Sequence, residues 1–312
     1  LTEDAIIWQN NIISYQNLKT YFLNWYSKLS TAFPEGCTVL LQGDYSPNTL
    51  AIFLALIKHK CIIVPLSPAT EVSLQKYSAL AGVEQHIQVE SNDQVHIKTV
   101  PCENLPNLIS DFKTKRLPGL VIFSSGSTGS PKAVLHNLSS LISQHEKRRK
   151  KLRTIFFYLF DHIAGLDTFF FTLLNNGCMI CLQDRQPNKV LDSIEKHRAH
   201  LLPASPTFLN LLIYSEAQQN HDLSSLNTIS YGTEVMPATL LNKLRTLFPT
   251  VKFVQTYGMS ELGSIPSTSR PGNPLWIKLG NQNTKVRVIN GKLHIKTPAA
   301  MIGYLNADNP IL

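Results

Sequence analysis

VIFSSGSTGSPKAVLH, residues 121–136, sets an apolar run against a polar loop and decides how the rest of the chain is read. Val121, Ile122 and Phe123 form a β-type run that feeds into Ser124, Ser125, Ser127, Thr128 and Ser130, arranged around Gly126 and Gly129 and closed by Pro131 and Lys132. The glycines permit dihedrals that turn backbone N–H groups inward, the hydroxyls add donors without bulk, and the lysine supplies a mobile positive charge. Together these suit a phosphate. The loop is not the common phosphate motif G-x-x-x-x-G-K-[ST], because Ser130 and Pro131 separate the second glycine from the lysine. An inert polar surface loop explains the same residues taken alone; the strand before them and the lysine after them weigh toward function.

Upstream, Ile13, Leu18, Tyr21, Phe22, Trp25 and Leu29 recur at helical spacing and predict a surface helix within 12–33. Residues 39–42 read as a strand, and Ser46, Pro47 and Asn48 as a turn leading into a largely buried helix over 50–59. A strand at 61–65, a helix at 71–80 and strands at 87–89 and 95–100 follow, and 101–118 reads as loop. After the phosphate loop a helix is expected over 138–147. Strands near 155–159, 179–182, 201–202, 226–230 and 252–255 then alternate with helices at 166–174, 190–197, 205–212 and 237–247. That rhythm predicts a multi-layer α/β fold, with two mostly parallel sheets flanked by helices. Beyond Gly280, KVRVINGKLHIKTP alternates about Asn290-Gly291 and predicts a hairpin in a smaller β-rich subdomain near the C-terminus. The approximate divisions are 1–120, 121–275 and 276–312.

Ligand residues in such folds sit on loops just past parallel strands. Two further loops fit that rule: Tyr231-Gly232-Thr233-Glu234, and Thr256 followed by YGMSE at 257–261. Tyr257 offers a flat ring for stacking on a purine, Gly258 allows close approach, and Glu261 is an oxygen ligand suited to magnesium held on ATP phosphates. A strand-end packing tyrosine and a solvent glutamate are the alternative. Asp161 and His162 lie in FDHIAG at 160–165, where Asp161 is placed to cap the following helix and His162 reads equally as a packed core residue.

SSGSTGSPK, YGMSE and GKLHIKTPAAMIGYL (291–305), in that order, resemble the motifs of the adenylate-forming superfamily. That group includes acyl-CoA synthetases, aryl acid ligases, luciferases and the adenylation domains of peptide synthetases. Ala133 stands where the signature usually has glycine. The resemblance covers essentially the whole chain and implies the large N-terminal domain of such an enzyme. It implies attack of a carboxylate on the α-phosphate of ATP, giving an acyl-adenylate, then transfer to the thiol of CoA or of a carrier protein's phosphopantetheine. It places ATP phosphates on Ser124, Ser125, Gly126, Ser127, Thr128, Gly129 and Lys132, adenine on Tyr257, phosphate on Ser260 and Mg²⁺ on Glu261. Tyr231, Gly232 and Thr233 would run along the adenine and the acyl pocket, and Thr256 would lie near the carboxylate or α-phosphate. His162, with Gly232 and Gly258, would border the acid; Lys132, Glu261 and His162 are the catalytic candidates. Phe160-Asp161 mimics the pairing by which peptide-synthetase domains hold a substrate amino group, whereas HIAG is closer to the acyl and aryl ligase pattern. Members normally continue into a T-G-D motif, a hinge and a small C-terminal domain with a catalytic lysine, all beyond Leu312. The implied consequence is weak ATP binding and poor adenylation by this stretch alone. An amino-acid-activating domain and a non-catalytic protein of the same fold stay open as alternatives.

Composition bounds these readings. With 312 residues, 43% of them hydrophobic and 16% charged, the chain is long and apolar enough to bury a large core, which excludes intrinsic disorder. A net charge of +8 favours an anionic ligand. RRKKLR at 148–153 is basic, but without a zinc finger, helix-turn-helix or aromatic-interleaved groove it reads as a solvated helix end, and no nucleic-acid partner is expected. Docking of a cofactor's phosphates or an acidic carrier protein is its functional alternative. The five cysteines have no framework spacing; Cys178-x-x-Cys181 lies in an apolar run that reads as a buried strand, and reduced cytoplasmic thiols fit best. Asp161, His162 and Asp167 interrupt the most apolar stretch, so no membrane span is expected. Residues 169–174, with Pro206 and Phe208, suit either an apolar acid pocket or the core.

Overall fold

The computed structural model describes residues 3–68, 74–102, 104–124, 131–270 and 273–307. The chain opens with β1 (Asp4–Trp8), β2 (Asn11–Ser14) and α1 (Tyr15–Ala32). It continues through β3 (Thr38–Gln42), α2 (Pro47–Lys58), β4 (Ile62–Leu66), α3 (Leu74–Ala81), β5 (Gln85–Val89), β6 (Val95–Thr99) and α4 (Asn107–Thr114). After β7 (Gly119–Ser124) come β8 (Lys132–Asn137), α5 (Leu138–Ser143), β9 (Arg153–Phe156), α6 (Ile163–Leu174) and β10 (Cys178–Cys181). Then follow α7 (Pro187–His197), β11 (Leu201–Ala204), α8 (Pro206–Tyr214), β12 (Thr228–Tyr231), α9 (Ala238–Leu247) and β13 (Lys252–Gln255). Short antiparallel pairs close the order: β14 (Tyr257–Met259) with β15 (Gly263–Ile265), β16 (Ser267–Arg270) with β17 (Asn273–Leu279), and β18 (Lys285–Ile289) with β19 (Lys292–Lys296). The last strand, β20 (Gly303–Tyr304), returns to β8.

Two seven-stranded sheets organise the molecule. The first runs β20-β8-β7-β4-β3-β5-β6, parallel from β7 to β5 with antiparallel edges; the second runs β13-β12-β11-β9-β10-β1-β2, parallel except for β2. The expected two-sheet α/β architecture is therefore present. Strands cross between the segments 1–120, 121–275 and 276–312: β1 pairs with β10, and β8 and β20 complete the first sheet.

The parallel strands read as unbroken apolar runs because both of their faces are buried. In β3, Val39 and Leu41 point into the core between the sheets while Leu40 packs outward under α3 and α4. In β10, Met179 and Cys181 face the inner core and Cys178 and Ile180 the outer one beneath α7, α8 and α9. A C-x-x-C in a strand thus sends its two thiols to opposite faces. Phe169 and Phe170 belong to the inner core and Phe208 to the outer one, so core packing accounts for the aromatic stretch. Ser46 and Ser205 cap α2 and α8, each followed by proline at the first helical position; the second start is as expected, whereas α2 begins at Pro47, three residues before the expected Leu50.

Several expectations need correction. Residues 101–118 contain α4, whose Ile109 and Phe112 are buried one turn apart. Between the phosphate loop and the expected helix, which does start at Leu138, lies an unforeseen strand, β8, with Ala133, Val134 and Leu135 buried between β7 and β20. The helix after it stops at Ser143 instead of reaching residue 147. Five consecutive cations from 147 to 151 disfavour a continued helix, and the side chain of the α6 cap Asn175 takes the Arg149 backbone N–H. Ile13 lies in β2, and α1 begins only at Tyr15 behind its Ser14 cap. The closing run of short antiparallel pairs begins at Tyr257, well before Gly280. The hairpin about Asn290-Gly291 is as predicted, both residues having positive φ (50° and 73°). Among the described residues no helix is long and apolar enough to cross a membrane.

Candidate functional site

The motifs gather at the C-terminal ends of the parallel strands. β7 ends at Ser124, directly opposite Lys132 of β8. Ser125, Gly126, Ser127, Thr128 and Gly129 lie outside the described residues. The lysine that closes the loop is held from both sides by the residue just past the chain's third motif: Asn306 donates from Nδ2 to the Pro131 carbonyl (2.8 Å) and accepts the Ala133 amide at Oδ1 (2.9 Å). Tyr304, opposite Val134, places its ring 4.9 Å from the Lys132 ammonium.

The same tyrosine reaches the second motif. Its hydroxyl donates to Oε1 of Glu261 at 2.7 Å. Burial and this carboxylate raise the Tyr304 pKa to about 12, so the phenol keeps its proton. Glu261 itself is anchored through its carbonyl, which accepts from Met301 N at 2.7 Å. One residue earlier, the Ser260 carbonyl receives Nε2–H of His136 at 2.6 Å. That donation fixes the tautomer of a fully buried histidine whose pKa burial lowers. Lys132, Glu261 and Ser260 are thereby brought together by β8 and β20.

The other strand-end residues divide by role. Tyr231 turns its ring into the outer core, and its carbonyl accepts the Thr256 amide (2.8 Å) and hydroxyl (3.1 Å). Gly232 permits that contact, since a Cβ there would lie 2.3 Å from Oγ1 of Thr256. Gly258 likewise makes room for the Gly263 carbonyl, which an added Cβ would meet at 2.7 Å. Thr256 and Gly258 are exposed, and Tyr257 is half-buried. Thr233 holds φ +69°, a strained conformation for a β-branched residue, and is exposed to a cleft. Glu234 is exposed and accepts from Thr207.

That cleft, about 530 Å³, opens where the two sheets meet. Leu66 and Phe123 line it from the first sheet; Phe157, Tyr158, Asp161, His162, Arg185, Ser205 and Thr233 line it from the second. Its walls are largely aromatic, with Tyr77 stacked on Phe123 (4.1 Å, 18°) and Tyr158 on His162 (5.9 Å, 18°). The Tyr158 hydroxyl is hydrogen-bonded to the Thr233 side chain and the Gly232 backbone, and burial raises its pKa. His162, not Asp161, caps α6: its Nδ1 accepts from Ala164 N at 3.1 Å, which leaves the proton on Nε2. Its edge stays exposed while the protein packed about it lowers its pKa against the opposing pull of Asp161. Asp161 ties the sheets, its Oδ2 accepting from Ser67 N (2.8 Å). A second tie is a bidentate pair, Arg185 Nη1 and Nη2 to the Asp44 carboxylate (2.8 and 3.0 Å), with Nε donating to the Phe157 carbonyl (2.8 Å).

Tyr158, Arg185, Asp44, His136, Tyr304 and Asn306 are functional candidates that sequence reasoning missed. Tyr304 and His136 lay inside stretches already singled out, though without a role of their own; the rest acquire their roles from partners remote in sequence. Among the described residues no group of three or more His, Cys, Asp or Glu stands ready to hold a metal ion. The single carboxylate of Glu261 fits a cation of the magnesium type, which keeps one or two protein carboxylates and takes its other oxygens from phosphates and water.

A sequence profile of the AMP-binding enzyme family matches residues 2–305. The chain belongs to that family. It is similar to a 4-coumarate-CoA ligase of Narcissus pseudonarcissus, 31% identical over 189 residues that span 56% of this chain and 34% of that protein. It is also similar to a D-alanine–D-alanyl carrier protein ligase of Bacillus cytotoxicus, 23% identical over 296 residues, 86% of this chain and 58% of that protein. This AMP-binding chain thus spans about a third of the first of these relatives and under three-fifths of the second. Its fold matches the N-terminal domain of FACL13 from Mycobacterium tuberculosis, with a TM-score of 0.75, 18% identity, and coverage of 98% of this chain and 88% of that domain. The whole is the architecture of the large domain of adenylate-forming proteins.

Proposed function

We propose that this chain binds ATP and activates a carboxylic acid as its acyl-adenylate, and that the complete protein passes the acyl group to a thiol, of CoA or of a carrier protein's phosphopantetheine. The observation that carries the reading is the convergence of Lys132 and Glu261 about Tyr304 at the strand ends, one group suited to phosphate and the other to magnesium. Magnesium, when bound, supplies neutralising charge on the triphosphate. Lys132 and Ser260 would add positive charge and hydrogen bonding there, and Tyr257, half-buried on the same hairpin, would stack on adenine. Thr256 would lie near the reacting carboxylate. His162, carrying its proton on Nε2 at the cleft, would face the acid. No covalent nucleophile is required, because orientation and charge stabilisation do the catalysis.

The aromatic walls of the cleft favour an apolar acid. Asp161 already has one oxygen on the Ser67 amide, which makes it a poorer receptor for a substrate ammonium and weighs against the amino-acid reading. ATP–pyrophosphate exchange by the native protein with Mg²⁺, screened over aliphatic, aryl and amino acids, tests both. Exchange that depends on an apolar acid is expected. Exchange with amino acids alone would reverse the choice of substrate, and failure to bind ATP would leave a non-catalytic protein of this fold.

A further inference from the structure

Lys132 and Glu261 carry opposite charges and, in the reading above, serve one ligand; one side chain, Tyr304, contacts both. Tyr304 presents two different surfaces: its hydroxyl hydrogen goes to the Glu261 carboxylate (2.7 Å) and its ring face to the Lys132 ammonium (4.9 Å). Among the described residues no ion pair joins Lys132 to Glu261. An ammonium and a carboxylate this close to a common neighbour attract each other strongly in a half-buried site. Left alone they would neutralise one another.

We propose that Tyr304 is a positioning residue that keeps the phosphate-binding cation and the metal-binding anion apart and aimed. The inference rests on the nucleotide-binding reading of this site. The surrounding backbone supports the role. Asn306 pins the chain on both sides of Lys132, and the β20–β8 register sets Tyr304 beside it, so the ring has a fixed place from which to hold the ammonium. Meanwhile Met301 N and His136 fix the backbone of Glu261 and Ser260 from the other side. Phenylalanine would keep the face for the cation and lose the donor for the carboxylate; leucine would lose both.

The test uses the native full-length protein, comparing Tyr304→Phe and Tyr304→Leu by calorimetric titration with ATP in Mg²⁺ and with ATP in chelator. For Y304F, ATP in chelator should bind as to the wild type, while affinity for Mg·ATP falls about tenfold, the loss expected for one hydrogen bond to a charged group. For Y304L both affinities should fall. A crystal structure of nucleotide-free Y304L should show the Lys132 ammonium within about 4 Å of the Glu261 carboxylate, the distance of an ion pair. The proposal is overturned if both variants bind Mg·ATP like the wild type, if Y304F loses equally with and without Mg²⁺ as a merely structural residue would, or if the two charges stay apart in Y304L. Should Y304L fail to fold, the Mg²⁺ dependence of the near-isosteric Y304F decides. A wild-type protein that binds no nucleotide would sink the functional reading, and the Y304L structure would still decide the positioning role.

Discussion

Arg185→Met removes a polar tie between the sheets. The guanidinium makes three hydrogen bonds, two to the Asp44 carboxylate (2.8 and 3.0 Å) and one to the Phe157 carbonyl (2.8 Å). Hydrogen bonds to charged groups contribute about 1.5–3 kcal/mol each when sealed from water. Here the side chains of Arg185 and Asp44 are 23% and 32% exposed, so about 1 kcal/mol per bond is the fitting scale after solvent screening. The sum is about 3 kcal/mol, moderated because Asp44 keeps its bond from the Tyr45 amide (2.8 Å). Arg185→Lys should lose about 2 kcal/mol, since a point ammonium cannot bridge both oxygens and the carbonyl. Urea unfolding of R185M, D44N and the double variant measures the terms, with a coupling energy of about 1–2 kcal/mol expected. A loss under about 0.5 kcal/mol in R185M, or a coupling near zero, would refute the claim that this pair holds the sheets in register at the cleft.

Gly232→Ala forces a Cβ to 2.3 Å from Oγ1 and 3.0 Å from the carbonyl of Thr256, and should destabilise by about 1–3 kcal/mol in a urea melt. Adding Thr256→Ala removes the shorter contact and should recover part of that loss; no recovery would mean the strain lies elsewhere. Tyr158→Phe deletes the bonds to Thr233 and Gly232 and should cost about 1 kcal/mol, with faster amide exchange confined to residues 231–234. His86 is buried, with Nε2 against Oε1 of Gln42 (3.0 Å), and burial lowers its pKa from 6.5 to about 4. The unfolded chain therefore binds a proton that the native state refuses, so stability present above pH 6.5 falls as the pH drops toward 4, by up to about 3 kcal/mol. His86→Gln should lose less stability than the wild type between neutral pH and the acid end of that window, and equal losses would show that other groups carry the effect.

The parallel strands were legible because burial on both faces leaves continuous runs such as TVLLQ and IIVPL, and the late hairpin because Asn290-Gly291 suits only a narrow class of turn. What escaped has a common cause. β8, KAVLHN, begins with a lysine and ends in polar residues, and its strand character comes from neighbours on either side, β7 and a β20 some 170 residues later. α4 buries only Ile109 and Phe112, too few positions to show a period. In the site, residue types at strand ends were readable singly, whereas directions were not. Tyr231 and Tyr257 look alike in sequence, yet one fills the outer core and the other stays half-buried beside the hairpin. Arg185 and Asp44 are 141 residues apart and nothing local distinguishes them from loop charges.

The placement of the cleft follows from how the sheets share their inner core. Tyr45, just past β3 of the first sheet, packs edge-on against Phe156 (4.8 Å) and Phe160 (5.4 Å) of the second. Phe53 of α2 meets Phe160 and Phe169 in turn, and this aromatic chain sets the spacing between the layers. Phe160 is fully buried, and the next two residues, Asp161 and His162, emerge at the cleft as the sheet tie and the helix cap. A core side chain thereby fixes where two polar ones point. The Phe160-Asp161 dipeptide, which resembles an amine-binding pair in sequence, thus also joins the two sheets. The aromatic anchors the seam, and the carboxylate, aimed by that anchor, meets the Ser67 amide across it.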